Sequence, residues 1–219
     1  MRVIAGRAKG HQLKGPAGPL TRPTSDKVRG AIFAMLESLL EEARGPAREE
    51  ASLWEGQRVL DLYAGTGALG IEALSRGASC ADFVELNPAA CRVIRENLAH
   101  TKLAPDGRVH CIAVPRFIRQ CSAAVAQGEG EGYDLVLMDP PYGEAGLEDL
   151  LVALGSGPLV KEAGWLVVEH GRRRSLPAVV AALMRVRARR HGDTEISIYR
   201  RRCPGETAVV TPGDGPGYE

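Results

Sequence analysis

Residues Val59 to Gly70 read VLDLYAGTGALG. An apolar run carrying one acid, Val59-Leu60-Asp61-Leu62, leads into glycines at 65, 67 and 70, spaced G-x-G-x-x-G. This order predicts a buried strand, a tight turn and the start of a helix. Glycine lets the backbone turn sharply and approach a ligand closely. The spacing alone does not choose the ligand, since nicotinamide and flavin folds use it as well.

Strand and helix patterns alternate outward from this stretch. The sequence predicts strands at Cys80–Glu85, Val109–Ala113, Leu135–Met138 and Trp165–Glu169, with helices over about 69–76, 88–100, 116–126 and 147–154 between them. Pro88 suits a first helical position, where no N–H is needed. Beyond 169 a short helix near Ala178–Met184 is expected, then strands near Val186–His191 and Glu195–Arg201 joined by a Gly192-Asp193 turn. The resulting expectation is an α/β, Rossmann-like, doubly wound sheet of seven strands, mostly parallel, with an antiparallel C-terminal hairpin.

Ahead of this core, residues 1–52 predict a basic hairpin and helix extension that packs on it. Thr24 or Ser25 can cap a helix over roughly Asp26–Glu42, whose Val28, Ile32, Met35, Leu36 and Leu39 share one face. Residues 53–202 form the expected main domain. Residues 203–219, rich in Pro and Gly, read as a disordered tail.

The chain has 219 residues, 44% hydrophobic and 25% charged, within the ordinary range for a globular protein. It shows neither a membrane-length apolar run nor an apolar signal core, so a cytoplasmic location is expected. The five cysteines form no C-x-x-C pair and read as reduced thiols, and the five histidines lack ligand spacing, so no metal is expected. The net charge of +1 conceals a partition. Residues 1–30 carry +6 and residues 171–202, with ten arginines, carry +8, which leaves −13 for the rest. Basic ends around an acidic middle suit a polyanionic partner if they meet in space.

Two acids refine the glycine motif. Asp61 lies at the end of the first strand and Glu85 at the end of the second. A carboxylate beside this turn repels a dinucleotide's phosphates. It suits S-adenosylmethionine, which brings an ammonium group and a ribose but no pyrophosphate. Asp61 is assigned to the ammonium group and Glu85 to the ribose hydroxyls. Tyr63, Ala64, Gly65 and Gly67 belong to the same cofactor-binding turn, and Leu86 and Asn87 to the adenosine. No acid follows the third strand, where Ala113-Val114-Pro115 stands, so the adenine contact stays open between a backbone group and another arrangement near Arg116.

The fourth predicted strand ends in MDPPYG, Met138 to Gly143. Two prolines stop a strand and stiffen the loop after it. A surface turn would account for the quartet alone. Beside a methyl-donor site it has a chemical use. The Asp139 carboxylate and the Pro140 carbonyl can accept the two N–H groups of a nucleobase amine, and Tyr142 can stack on a base swung out of its helix.

Together these motifs resemble the amino-directed S-adenosylmethionine-dependent methyltransferases. RVIAGRAKGHQLKGP, TRPTSDKVRGAIFAML, VLDLYAGTGALGIEALSRGA and GDTEISIYRR resemble more specifically the RsmD-type family, nearly to Arg202. The resemblance implies methylation of N2 of a guanine in 16S rRNA, the site called guanine 966, in an assembling or assembled small ribosomal subunit. It places the target amine at Asp139, Pro140 and Tyr142 and the cofactor at Asp61, Gly65, Gly67 and Glu85. Arg22, Thr24, Lys27 and Arg29, at the start of the first helix, are the expected RNA contacts. A monomer is expected. An adenine-N6 DNA methyltransferase shares the DPPY logic, but no target-recognition insert is evident.

Overall fold

The computed structural model describes residues 1–15, 25–45, 52–141, 143–144 and 146–206. Its strands are β1 (Arg58–Leu62), β2 (Cys80–Glu85), β3 (Gly107–Cys111) and β4 (Tyr133–Met138). β5 (Val160–Gly171), β6 (Val179–Val180), β7 (Leu183–His191) and β8 (Thr194–Arg201) follow. They form one sheet in the order β3-β2-β1-β4-β5-β8-β7-β6. β1 pairs in parallel with β2 on one side and β4 on the other, so the strand order reverses at β1. In a doubly wound sheet that reversal opens a crevice at the carboxyl edge.

The helices are α1 (Asp26–Arg44), α2 (Ala68–Arg76), α3 (Pro88–His100), α4 (Val114–Ala126) and α5 (Leu147–Ser156). Alternation along each strand assigns them to faces. Val59, Phe83, Leu135, Leu137, Val167, Ile196 and Ile198 share a cluster with residues of α1, α2 and α3. Leu60, Leu62, Val84, Val136, Met138 and Val168 face α4 and α5. Each fully buried Leu or Phe adds about 1.5–3 kcal/mol.

Residues 1–15 have no separate core. Val3, Ala8 and Leu13 join the cluster of α1 and α2. The expected hairpin is present as an antiparallel bridge between Arg2 and Gln12. Glu72 of α2 clamps it, accepting from the Ile4 N–H at 2.8 Å and the Ala5 N–H at 3.0 Å. Of the two candidate caps, Ser25 performs the role, its Oγ accepting from the Val28 N–H at 3.2 Å; Thr24 lies outside the described residues.

Three expectations need correction. The sheet has eight strands where the sequence predicts seven, because 178–184 is not a helix. It is β6, a two-residue turn through Ala181 at φ 51°, and the start of β7, paired Val180 to Leu183. The alternative is favoured because the hairpin buries Val180 and Leu183 against α5. Residues 203–206 also leave the expected tail. The Cys203 N–H donates to Glu206 at 2.9 Å, and Glu206 pairs with Arg200 at 3.1 Å. Residues 207–219 lie outside the described residues. Among the described residues no helix is long and apolar enough to cross a membrane.

Candidate active site

The parallel register sets Leu62 beside Met138 and beside Val84, so the turns that follow β1, β2 and β4 emerge side by side. Two hydrogen bonds continue the ladders into those turns. The Ala64 N–H donates to the Val84 carbonyl at 3.1 Å, and the Asp139 N–H to the Leu62 carbonyl at 3.4 Å. The proline loop therefore opens beside the glycine turn.

Between them lie three carboxylates. Asp61 is 1% exposed, and its Oδ2 accepts the Gly70 N–H at 2.9 Å. Its Oδ1 is buried with no hydrogen-bond partner among the described residues. Burial pushes the Asp61 pKa well above the usual carboxylate range, against the pull of the Gly70 N–H. The nearby charges of Asp139 and Glu85 raise it further. A buried anionic oxygen without a donor costs free energy that a bound ammonium group would recover.

Glu85 ends β2 with its carboxylate held on both sides. Oε2 accepts the Gly65 N–H at 2.9 Å and Oε1 the Asn87 N–H at 2.8 Å. Each oxygen keeps a further lone pair, enough to receive a diol. Leu86 is 66% exposed, an apolar side chain open to solvent beside this acid. Asn87 has a structural task, capping α3 by accepting the Ala89 N–H at 2.8 Å. These features fit S-adenosylmethionine: an orphaned anion for its ammonium group, a fixed carboxylate for its ribose and an apolar surface for its adenine.

Gly67 and Gly70 serve packing as well as turning. Gly67 has φ 76°, and a Cβ on Gly70 would fall 2.4 Å from Cε1 of Phe83. Helix α2 therefore sits on β2 only because position 70 has no side chain. Tyr63, at φ 59°, half-buried, carries the chain out of β1. Burial and the Glu144 carboxylate both raise its hydroxyl pKa, so it stays a neutral phenol.

Asp139 is half-buried and Pro140 buried at the end of β4. Tyr142 lies outside the described residues, as do Arg22 and Thr24 of the expected RNA contacts. Lys27 is exposed near the start of α1. Arg29 is not an RNA contact. It is 0% exposed, paired with Asp26 at 3.0 Å and with Glu72 at 3.6 Å, and donates to the Arg2 carbonyl. Its place on the Ile32–Leu36 stripe turns it inward.

Asn97 belongs to no motif that the sequence alone marks out. Fully buried, it donates to the Thr66 carbonyl in the glycine turn at 3.0 Å and to the Lys14 carbonyl at 3.1 Å, and accepts the Lys14 N–H at 2.8 Å. It thus ties the N-terminal arm to the glycine turn. Its one sequence signal is an amide on the same helix stripe as Cys91 and Ile94. The adjacent His110 and Cys111 diverge, His110 Nε2 bonding Asp82 at 2.6 Å and Cys111 Sγ facing the Leu86 carbonyl. Among the described residues no three His, Cys, Asp or Glu cluster as metal ligands.

A sheet reversing at β1, with a glycine turn, a ribose-type acid and a DPP loop at that reversal, defines the Rossmann-like methyltransferase class of fold. Solved structures agree. A chain described as "Putative methyltransferase yhhF from Escherichia coli" superposes with a TM-score of 0.73 at 29% identity, covering 92% of this chain and 98% of that one. The family model described as "Conserved hypothetical protein 95" matches residues 1–200, and the chain belongs to this family, the RsmD-type family. It is 38% identical to the Bacillus subtilis (strain 168) protein named "Putative rRNA methyltransferase YlbH", over 92% of this chain and all of the relative. It is 30% identical to the Escherichia coli (strain K12) "Ribosomal RNA small subunit methyltransferase D", over 94% of this chain and 93% of the relative.

Proposed function

We propose that this protein transfers a methyl group from S-adenosylmethionine to the exocyclic N2 amine of a guanine in small-subunit ribosomal RNA, at the site called guanine 966. It acts as a cytoplasmic monomer on the assembling or assembled small subunit. The names of the relatives matched over nearly their whole length support rRNA as the substrate. The observation that carries the chemistry is the β1–β4 register, which sets the Asp139 turn against the cofactor-type turn of Asp61.

When bound, S-adenosylmethionine supplies an electrophilic methyl group on a sulfonium. Asp61 would hold its ammonium group and Glu85 its ribose. Asp139 and the Pro140 carbonyl would accept the two amine N–H groups, which takes the nitrogen lone pair out of conjugation with the ring and leaves it free to attack. The Asp139 anion would also stabilise the positive charge that builds on nitrogen as S-adenosylhomocysteine leaves, and it can take up the proton that the methylated nitrogen then releases. The prolines keep both acceptors in place, so little reorganisation accompanies the reaction. Tyr142 stacks on the base, and Lys27 with Arg22 and Thr24 contacts the RNA backbone.

The test is mass-spectrometric mapping of unmodified small-subunit rRNA after incubation with protein and S-adenosylmethionine. A single N2-methylguanine is expected. Asp139→Ala should abolish the product while S-adenosylhomocysteine affinity is nearly unchanged. Methylation of adenine in DNA with none in rRNA would overturn the assignment.

A further inference from the structure

The ten arginines of 171–202 look alike as a charge count, but their contacts divide them. Eight are committed within the fold. Arg185, for example, donates to the Leu176 carbonyl at 2.8 Å, Arg187 pairs with Glu42 at 3.5 Å and Arg190 with Glu195 at 3.2 Å. Of the three consecutive arginines after β5, Arg172 pairs with Asp193 at 3.3 Å and Arg174 holds Glu148 and the Glu144 carbonyl. Only the side chains of Arg173 and Arg189 make no hydrogen bond or ion pair among the described residues, and both are exposed.

Topology places both at the carboxyl edge. β5 runs parallel to β4, so Arg173 emerges near Asp139. It lines a cavity of about 290 Å³ whose other walls include Pro140, Pro141, Leu147 and His170. β8 runs antiparallel to β5, with Thr194 opposite Gly171, which returns the β7–β8 turn to this same edge. The Arg172 N–H secures it by donating to the Asp193 carbonyl at 3.0 Å. On β7, Arg189 lies opposite Ile196, a residue of the α1 cluster, and so faces α1. The Arg187–Glu42 pair fixes the C-terminal end of α1 lower on β7, which sends Lys27 towards the edge. Burial and the charges of Arg189 and Lys27 together lower the pKa of His191, which agrees with that placement. Lys27 and Arg189 therefore meet on the α1 face of this edge, and Arg173 lies along the same edge beside the cavity.

We propose that Arg173, Arg189 and Lys27 form a phosphate-binding strip for RNA, and that the cavity behind the proline loop seats the sugar–phosphate of the nucleotide next to the target, with Arg173 as its phosphate ligand. The proposal rests on the RNA reading above. The cavity's proline and leucine walls suit a sugar or base face, and its free guanidinium suits a phosphate. The committed arginines serve as structural supports.

The experiment measures binding of unmodified small-subunit rRNA against salt, together with methylation kinetics, for the full-length protein and its variants. Each lost phosphate contact lowers the log–log salt slope by about 0.7–0.9. Arg173→Ala and Arg189→Ala should each lower it by about that amount, and the double variant by about twice as much. KM for RNA should rise while kcat and the S-adenosylhomocysteine stabilisation hold. Arg173→Lys should keep most of the slope. Arg108→Ala, at an exposed arginine on the opposite edge of the sheet, should match wild type. An unaltered slope in the double variant, with wild type still methylating rRNA, overturns the strip alone. A wild-type protein that neither binds nor methylates rRNA overturns the RNA reading and the strip with it.

Discussion

Asp61→Asn separates a carboxylate that serves a ligand from one that serves the turn. An amide preserves the structural contact, because its oxygen can still accept the Gly70 N–H now held at 2.9 Å. It removes a charge that the folded protein holds at a cost, since Oδ1 is buried without a partner. The folded pKa is raised, so the protein binds a proton more tightly folded than unfolded. Wild-type stability therefore falls as pH climbs from the ordinary carboxylate value through the raised one, and the loss persists above it. The unliganded variant should equal or exceed wild type in melting temperature at neutral pH, with a flatter pH profile across that window. The ligand-bound protein should show the opposite order. Losing the charged partner of a desolvated ammonium costs about 2–5 kcal/mol, at least a ~30-fold loss of affinity. With S-adenosylhomocysteine at 100 times the wild-type Kd, wild type gains about 2.7 kcal/mol and a 30-fold weaker variant about 0.9 kcal/mol. At about 2–4 °C per kcal/mol for a chain of this size, the ligand-induced shift drops from roughly 5–11 °C to under about 4 °C. Differential scanning fluorimetry with and without ligand reads both effects. An unliganded variant that melts lower, with an undiminished ligand shift, would show Asp61 to be a turn residue only.

Packing dictates two further outcomes. Gly70→Ala sets a methyl carbon 2.4 Å from the Phe83 ring, so α2 must move off β2; thermal melts should show a loss of about 1–3 kcal/mol, and cofactor affinity should fall because α2 carries the Gly70 N–H held by Asp61. Glu72→Ala strips the buried Arg29 of a charge partner and the Ile4 and Ala5 N–H groups of their acceptor; a loss of about 3–5 kcal/mol is expected, with faster proteolysis within residues 1–15, and unchanged proteolysis there would refute the clamp.

The features legible in the sequence are local ones. The glycine turn, the acid at the end of β2 and the proline stop each need only a few adjacent residues, and the structure brings the three to one edge. Where a short segment had two uses, the decision came from partners distant in the chain. Val179, Val180, Leu183 and Met184 have spacing compatible with a helix, but α5 and β7 offer them a hairpin. Arg29 sits in a basic segment yet belongs to the stripe of Ile32 and Leu36, and its partner Glu72 lies in another helix. The composition of 171–202 could not show which arginines were already paired, because their partners are backbone carbonyls and acids of other segments, brought to them only by folding.

Under the proposed function, the arrangement of charge dictates how the RNA must approach. Asp61, Glu85 and Asp139 converge at the end of β1, and their mutual repulsion contributes to the raised pKa of Asp61. A phosphate entering that cluster would be repelled, whereas the exposed cations lie outside it, at Arg173, Arg189 and Lys27. A strand bound along the cations keeps its phosphates away from the acids, so only an uncharged part of it, a base, can cross to Asp139. For the proposed guanine amine this means leaving the base stack, at a cost of a few kcal/mol that is smallest for a base already unpaired. On the proposed function, the electrostatics that would admit the cofactor's ammonium group also selects a nucleotide presented base first, and a target locked in a duplex should react more slowly than the same target in a loop.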